Sequence, residues 1–143
     1  MTYDGGVPKL TLVELETLML RIFPDAKNFA TLVSLGERDL VMRMPFRPQF
    51  TRAGGTISGP ALMGLADSAV YYLVLAHAGP VVEAATANLD IHFLSRPDPT
   101  DVLATATLLR LGRRLAVATV ELRSEGRPDV VAHATVTYAL PSR

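Results

Sequence analysis

Apolar positions along this chain change their spacing twice, and each change marks a change of element. In "LTLVELETLMLRIFP", from Leu10 to Pro24, Leu12, Leu15, Met19 and Ile22 recur near helical spacing and Pro24 stops the run. "NFATLVSLGERDLVMRMPF" (28–46) reads instead as two short strands around the turn Gly36-Glu37-Arg38. "RPQFTRAGGTIS" (47–58) has the Pro, Gly and Ser content of a loop. A long apolar run follows, with Ser58 as a good N-cap, Gly59 and Pro60 in the first turn, and Gly79-Pro80 at the end. Four strand-like stretches come after it, at 84–95, 101–111, 113–124 and 130–140. Alternation is clearest in the third: Ala116, Ala118, Val120 and Leu122 share one face, Val117, Thr119, Glu121 and Arg123 the other. Tight turns at Gly112-Arg113 and Glu125-Gly126 predict that these four strands run as an antiparallel meander.

A helix that is apolar nearly all round must be covered on most sides, and an antiparallel sheet wrapped around it would do so. The expected fold class is therefore α+β, a layered domain. At 143 residues the chain fits one domain, residues 1–143, with 1–25 as an N-terminal helical segment. Repeats, linkers and low-complexity segments are not seen in the sequence.

Composition sharpens this reading mostly by exclusion. Hydrophobic residues make up 49% and charged residues 20%, the balance of a folded chain. Net charge is zero, so no global field would draw the protein to nucleic acid or to an anionic membrane. With no cysteine, thiolate catalysis, disulfides and cysteine metal sites are excluded. The histidines His77, His92 and His133 are scattered without metal-ligand spacing, and neither a metal nor a cofactor is expected. The opening decapeptide lacks a basic region followed by an apolar stretch, so a signal peptide is not expected and a cytoplasmic location is. The central run approaches the length of a bilayer span. A buried core helix is the preferred reading, since Asp67 sits mid-run, Gly-Pro opens it and no basic anchor flanks its end.

Asp67 is the sole acid in that helix, in "GPALMGLADSAVYYLVLAHAG", with no Lys or Arg within two helical turns. A lone acid on an apolar helix is commonly an exposed edge residue; one held inside without a basic partner is a candidate base or nucleophile. Gly59 lies where a helix start leaves N–H groups unpaired and where the helix dipole is positive, a place to hold a developing oxyanion. Pro60 removes one N–H from that turn, which leaves Gly59 and Ala61 as the donors.

The ordered set "GTISGPALMGLADSA", "ATANLDIHFLSRP", "LLRLGRRLAVATVEL" and "VVAHATVTYAL" resembles the hotdog-fold acyl-CoA thioesterases of the phenylacetyl-CoA and 4-hydroxybenzoyl-CoA type, over roughly residues 40 to 140. The resemblance implies a hotdog fold, an antiparallel sheet wrapped around a long central helix. It implies hydrolysis of an acyl-CoA substrate, with Asp67 as general base or nucleophile and the Gly59 N–H as oxyanion donor. It also implies a site shared between two subunits, hence a homodimer at least, with a homotetramer expected. The family reads His-Gly-Gly where this chain has Ser58-Gly59-Pro60, and often Asn where Arg52 stands.

By the same resemblance Thr86 matches a strand position that often holds Ser or Thr near the attacking water; an ordinary β-branched strand residue explains it equally. N-capping suffices to explain Ser58, and bonding the thioester oxygen or a water is its second candidate role. Arg52 and Pro60 border the helix start, and Arg96 follows in "LSRP". Arg110, Arg113 and Arg114 cluster at a predicted hairpin. A solvated turn explains any single one of them; as a group they are candidates for the phosphates of coenzyme A. The departures at Ser58, Pro60 and Arg52 keep an alternative open, a non-catalytic acyl-CoA-binding hotdog protein. A hydratase on the same fold ranks last, because neither His77 nor His92 sits beside the acid.

Overall fold

The computed structural model describes residues 7–142; part of the opening decapeptide therefore lies outside the described residues. Helix α1 (Leu12–Ile22) begins two residues later than the apolar pattern alone suggests. Thr11 decides the start, because its hydroxyl accepts the Glu14 N–H at 3.2 Å while the Glu14 carboxylate accepts the Thr11 N–H at 2.9 Å. After a short helical turn at Ala26–Asn28, strands β1 (Thr31–Leu35) and β2 (Asp39–Met44) form a hairpin.

Helix α2 (Gly59–Ala78) is the axis of the domain. Ser58 caps it, with its Oγ accepting the Ala61 N–H at 3.2 Å, and Gly79 ends it at φ 97°, a left-handed conformation that favours glycine. The helix is long and apolar enough to cross a membrane, and 78% of its most apolar stretch is buried inside the protein. Near its C-terminus the buried His77 ring lies 2.6 Å from the Glu37 carbonyl oxygen and 3.1 Å from that of Leu73, tying α2 to the β1–β2 turn.

Strands β3 (Ala85–Phe93), β4 (Val102–Leu111), β5 (Leu115–Ser124) and β6 (Val130–Ala139) complete one antiparallel sheet in the order β1-β2-β4-β5-β6-β3. Its inner face explains how α2 comes close. Ala104, Ala106, Ala116, Ala118, Ala132 and Ala134 are all fully buried there, and their small side chains leave room for Leu62, Leu65, Leu73 and Val70 of the helix. The alternation read along 116–123 holds, with Ala116, Ala118, Val120 and Leu122 inward.

The four-strand meander is corrected in one respect. β4, β5 and β6 follow one another as expected, but β3 pairs with β6 at the far edge rather than with β4. The connection 94–101 makes this possible by crossing the ends of two strands. It bonds to the Val131 carbonyl through the Leu94 and Ser95 N–H groups, and to Ser124 Oγ through the Asp98 N–H. Eight residues reach about 26 Å and three strand spacings need about 14 Å, so chain length allows the detour. β2 instead takes the place beside β4, with Met42 opposite Ala104.

Candidate active site

Near the middle of α2 the side chain of Asp67 leaves the core and meets β3 and β6. Thr86 Oγ1 donates to Asp67 Oδ1 at 2.6 Å, and the Tyr138 hydroxyl donates to the same oxygen at 2.7 Å. Tyr138 also lies 3.1 Å from the Asp67 backbone carbonyl oxygen. Oδ2 accepts no bond among the described residues. Asp67 thus falls between the two expectations, an exposed edge acid and one held inside without a basic partner: it is half-buried, and hydroxyls rather than a cation bond to it.

A β-bulge delivers Thr86 to this place. Strict alternation would put Leu89, Ile91 and Phe93 on one face of β3 and Thr86 on the other. The register shifts between Thr86 and Asn88, leaving Ala87 as the extra residue and Thr86 opposite Tyr138. Since Tyr138 points inward, Thr86 does too.

Beside Asp67 opens a cavity of about 450 Å³. Its walls are Met19 from α1 and Phe23 just after it, Phe29 just after the short helical turn, Met42 from β2, and Tyr71 and Tyr72 from α2. Tyr71 donates to the Val82 carbonyl oxygen at 2.9 Å, which closes one side. Burial pushes the Tyr72 phenol up to about 12, with a smaller contribution from Tyr71, and raises that of Tyr138 further. Tyr71 is raised by burial and by the charge of Glu83. All three stay protonated at neutral pH, so the cavity presents apolar surface and neutral hydroxyls, with Asp67 as its only acid among the described residues.

Gly59 lies elsewhere. It lines a second cavity, of about 310 Å³, together with Arg52, Thr56, Leu62, Phe93 and Arg96. Phe93 packs so closely that a Cβ on Gly59 would sit 3.3 Å from its ring. Of the two donors expected at this helix start, Ala61 is already taken by the Ser58 cap. Pro60 has no N–H, so the Gly59 N–H alone is without a partner among the described residues. The structure therefore gathers Ser58, Gly59, Pro60, Arg52 and Arg96 at one end of the domain and pairs Asp67 with Thr86 some eight residues further along α2. Eight residues of helix rise about 12 Å. Arg110, Arg113 and Arg114 fall at the opposite end of the sheet, around the β4–β5 turn, where the Arg114 carbonyl accepts from Leu140.

Tyr138 is the site residue that sequence reasoning missed. Its signal was present: Ala132, Ala134, Val136 and Tyr138 alternate onto the inner face, and an inward phenol needs a hydrogen-bond partner. Among the described residues, no three His, Asp or Glu side chains converge as a metal centre would require.

The sequence model of the thioesterase superfamily matches residues 54–131, from the loop before α2 into β6. A candidate thioesterase from Silicibacter sp. TM1040 is 36% identical and superposes with a TM-score of 0.87, over 99% of each chain. Zebrafish thioesterase superfamily member 2 gives 0.81 at 23% identity, over 93% of this chain and 100% of that one. A thioesterase from Haemophilus influenzae gives 0.79 at 17% identity, over 96% and 95%. At those lower identities the likeness is one of fold. No curated protein matches the sequence.

Proposed function

This chain belongs to the thioesterase superfamily and has its hotdog fold, and from that premise we propose that it hydrolyses an acyl-CoA thioester to the free acid and coenzyme A. The observation that carries the reading is the state of Asp67. One carboxylate oxygen is held by two hydroxyls, the other has no partner among the described residues, and an apolar cavity adjoins it. An acyl group in that cavity places its thioester carbonyl next to Oδ2. Oδ2 then either removes a proton from an attacking water or attacks the carbonyl carbon itself. In either route the tetrahedral oxyanion collapses, the C–S bond breaks and the coenzyme A thiolate takes up a proton; where Oδ2 attacks, a water then hydrolyses the acyl–Asp67 anhydride to the free acid and restores the carboxylate.

That oxyanion needs a donor within about 3 Å, and the Gly59 of the same chain lies about 12 Å along the helix from Asp67. A homodimer resolves the distance. β3 is an edge strand whose outer side has no partner among the described residues, with Phe93 and the adjoining Leu94 exposed, and such edges are usually covered. Pairing two β3 strands antiparallel about a two-fold axis sets the Phe93 end of one beside the Thr86 end of the other. Gly59 packs under Phe93, and Thr86 holds Asp67. Each site then combines Asp67 of one subunit with Gly59 of the partner subunit, and two sites form per dimer. The same pairing turns the end bearing Arg110, Arg113 and Arg114 toward the partner's end bearing Arg52 and Arg96, a basic surround for coenzyme A phosphates on a protein of zero net charge. Two such dimers would make the homotetramer.

The single Gly59 donor favours a second reading, a non-catalytic acyl-CoA binder, because Pro60 and the Ser58 cap remove the other donors of that turn. Thiol release measured over short, medium and aryl acyl-CoA substrates separates the two. Hydrolysis that is abolished by Asp67→Ala supports the enzyme. Tight binding across the panel with no thiol released supports the binder, and hydrolysis that survives Asp67→Ala removes Asp67 from the mechanism.

A further inference from the structure

We propose that Tyr138 is the positioning residue for Asp67: together with Thr86 it occupies Oδ1 and so reserves Oδ2 as the one oxygen free to react. This rests on the reading of Asp67 as the acid that acts on the thioester. The geometry is that of a clamp built from two strands and closed on a helix. Tyr138 on β6 and Thr86 on β3 stand opposite each other in the sheet register, and both hydroxyls converge on one carboxylate oxygen, at 2.7 Å and 2.6 Å.

Thr86 breaks the alternation of its strand, and Tyr138 keeps it but is chemically unlike its row. Thr86 faces inward through the bulge at Ala87. Tyr138, 3% exposed, ends an inner row that is otherwise Ala and Val, and it brings a phenol into the core. Its ring packs against Tyr71, with centroids 5.8 Å apart, so the hydroxyl has little freedom to turn elsewhere. Tyr71 cannot substitute, since its own hydroxyl is committed to the Val82 carbonyl. Burial keeps the Tyr138 phenol protonated, and Asp67 itself adds to that effect, so the group remains a donor throughout the working pH range.

Two O–H donors on one oxygen do two things. They fix the plane of the carboxylate relative to the cavity, and they leave Oδ2 as the oxygen turned toward it. The titratable groups around the clamp are few. α2 contributes Tyr71 and Tyr72, β6 contributes Tyr138, and Glu83 ahead of β3 acts on Tyr71 by its charge. α1, the turn after it and β2 present only Met19, Phe23, Ala26, Phe29, Ala30 and Met42 to the cavity.

The test is the NMR signal of the Asp67 carboxyl carbon at neutral pH in the wild type and in Tyr138→Phe, with steady-state thioester kinetics on the same samples. The Phe variant keeps the ring and its packing. The carboxyl signal is expected to move, because a hydrogen bond to Oδ1 is lost, and kcat to fall about 10- to 100-fold, with KM within about twofold. Should the Phe variant prove unstable, Thr86→Val on the edge strand removes the other donor and is expected to move the signal and lower kcat in the same way. An unmoved carboxyl signal in these variants, or a loss confined to KM, overturns the proposal. A moved signal in a protein that hydrolyses no thioester would leave the clamp standing and bring down the thioesterase reading instead.

Discussion

The start of α2 offers a bare backbone N–H at Gly59, in a cleft edged by Arg52 and Arg96, whereas its middle offers a carboxylate at Asp67 pinned by hydroxyls beside an apolar cavity. The first is a by-product of helix geometry, because every helix start leaves N–H groups unpaired, and a glycine there needs no supporting contacts. The second is expensive and has to be built. It takes a bulge in β3, an inward phenol on β6, and the α1 segment to wall the cavity. In the proposed reaction the two stations have complementary roles, an electrophile stabiliser and a base or nucleophile. On one chain they stand about 12 Å apart, too far to share one carbonyl. Half a site at each of two places is the arrangement a two-fold dimer can complete.

The most severe way to break the comparison is to remove the carboxylate. Asp67→Asn keeps the shape but loses the base, and kcat is expected to fall about 10²- to 10⁴-fold in a thiol-release assay. Disabling the other station costs less. Gly59→Pro deletes the unpaired N–H at a position where proline suits a helix start, and the half-exposed Phe93 ring can yield to the new ring. We expect kcat to drop about 10²- to 10³-fold, with the helix signal in circular dichroism retained. Arg52→Ala with Arg96→Ala touches binding rather than chemistry: KM for an acyl-CoA rises about 10-fold or more at unchanged kcat, and the effect shrinks for a substrate lacking the nucleotide phosphates.

The smallest effect lies in stability and appears only in alkali. Burial lifts the Tyr72 phenol from 10.0 in the unfolded chain to about 12 in the folded one, and Tyr138 moves in the same direction. A raised folded pKa gives a contribution fully present below pH 10, where both states hold the proton. It fades as pH climbs toward 12, because the unfolded chain releases its protons first. Melting temperature should therefore stay flat up to about pH 9 and fall beyond pH 10, and Tyr138→Phe should soften the fall.

The same contrast explains what could be read along the sequence. The helix start announces itself locally, through Ser58, Gly59 and Pro60 in a row, and α2 runs from Gly59 to Ala78 as the apolar run indicates. Asp67 is conspicuous because nothing near it in sequence is charged. Its partners are not conspicuous, since Thr86 and Tyr138 are 19 and 71 residues away and meet it only through sheet register. A bulge of one residue, which leaves no mark in composition, decides that Thr86 points in. The position of β3 was hidden for a similar reason. A turn-rich connection at 94–101 suggests neighbouring strands, yet its hydrogen bonds to Val131 and Ser124 carry it past β6 and β5.

The central claim, a site completed across subunits, is tested most directly by mixing two disabled proteins. Asp67→Asn and Gly59→Pro are each expected to be nearly inactive alone. When they are unfolded together, reassembled in equal amounts and sized as dimers, half of the dimers are mixed. In a mixed dimer one site carries both substitutions and the other carries neither. Thiol release should therefore return to about a quarter of the wild-type rate. Mixed dimers that form, as shown by tags on each variant, yet recover no activity would contradict the shared site and place each reaction within a single chain.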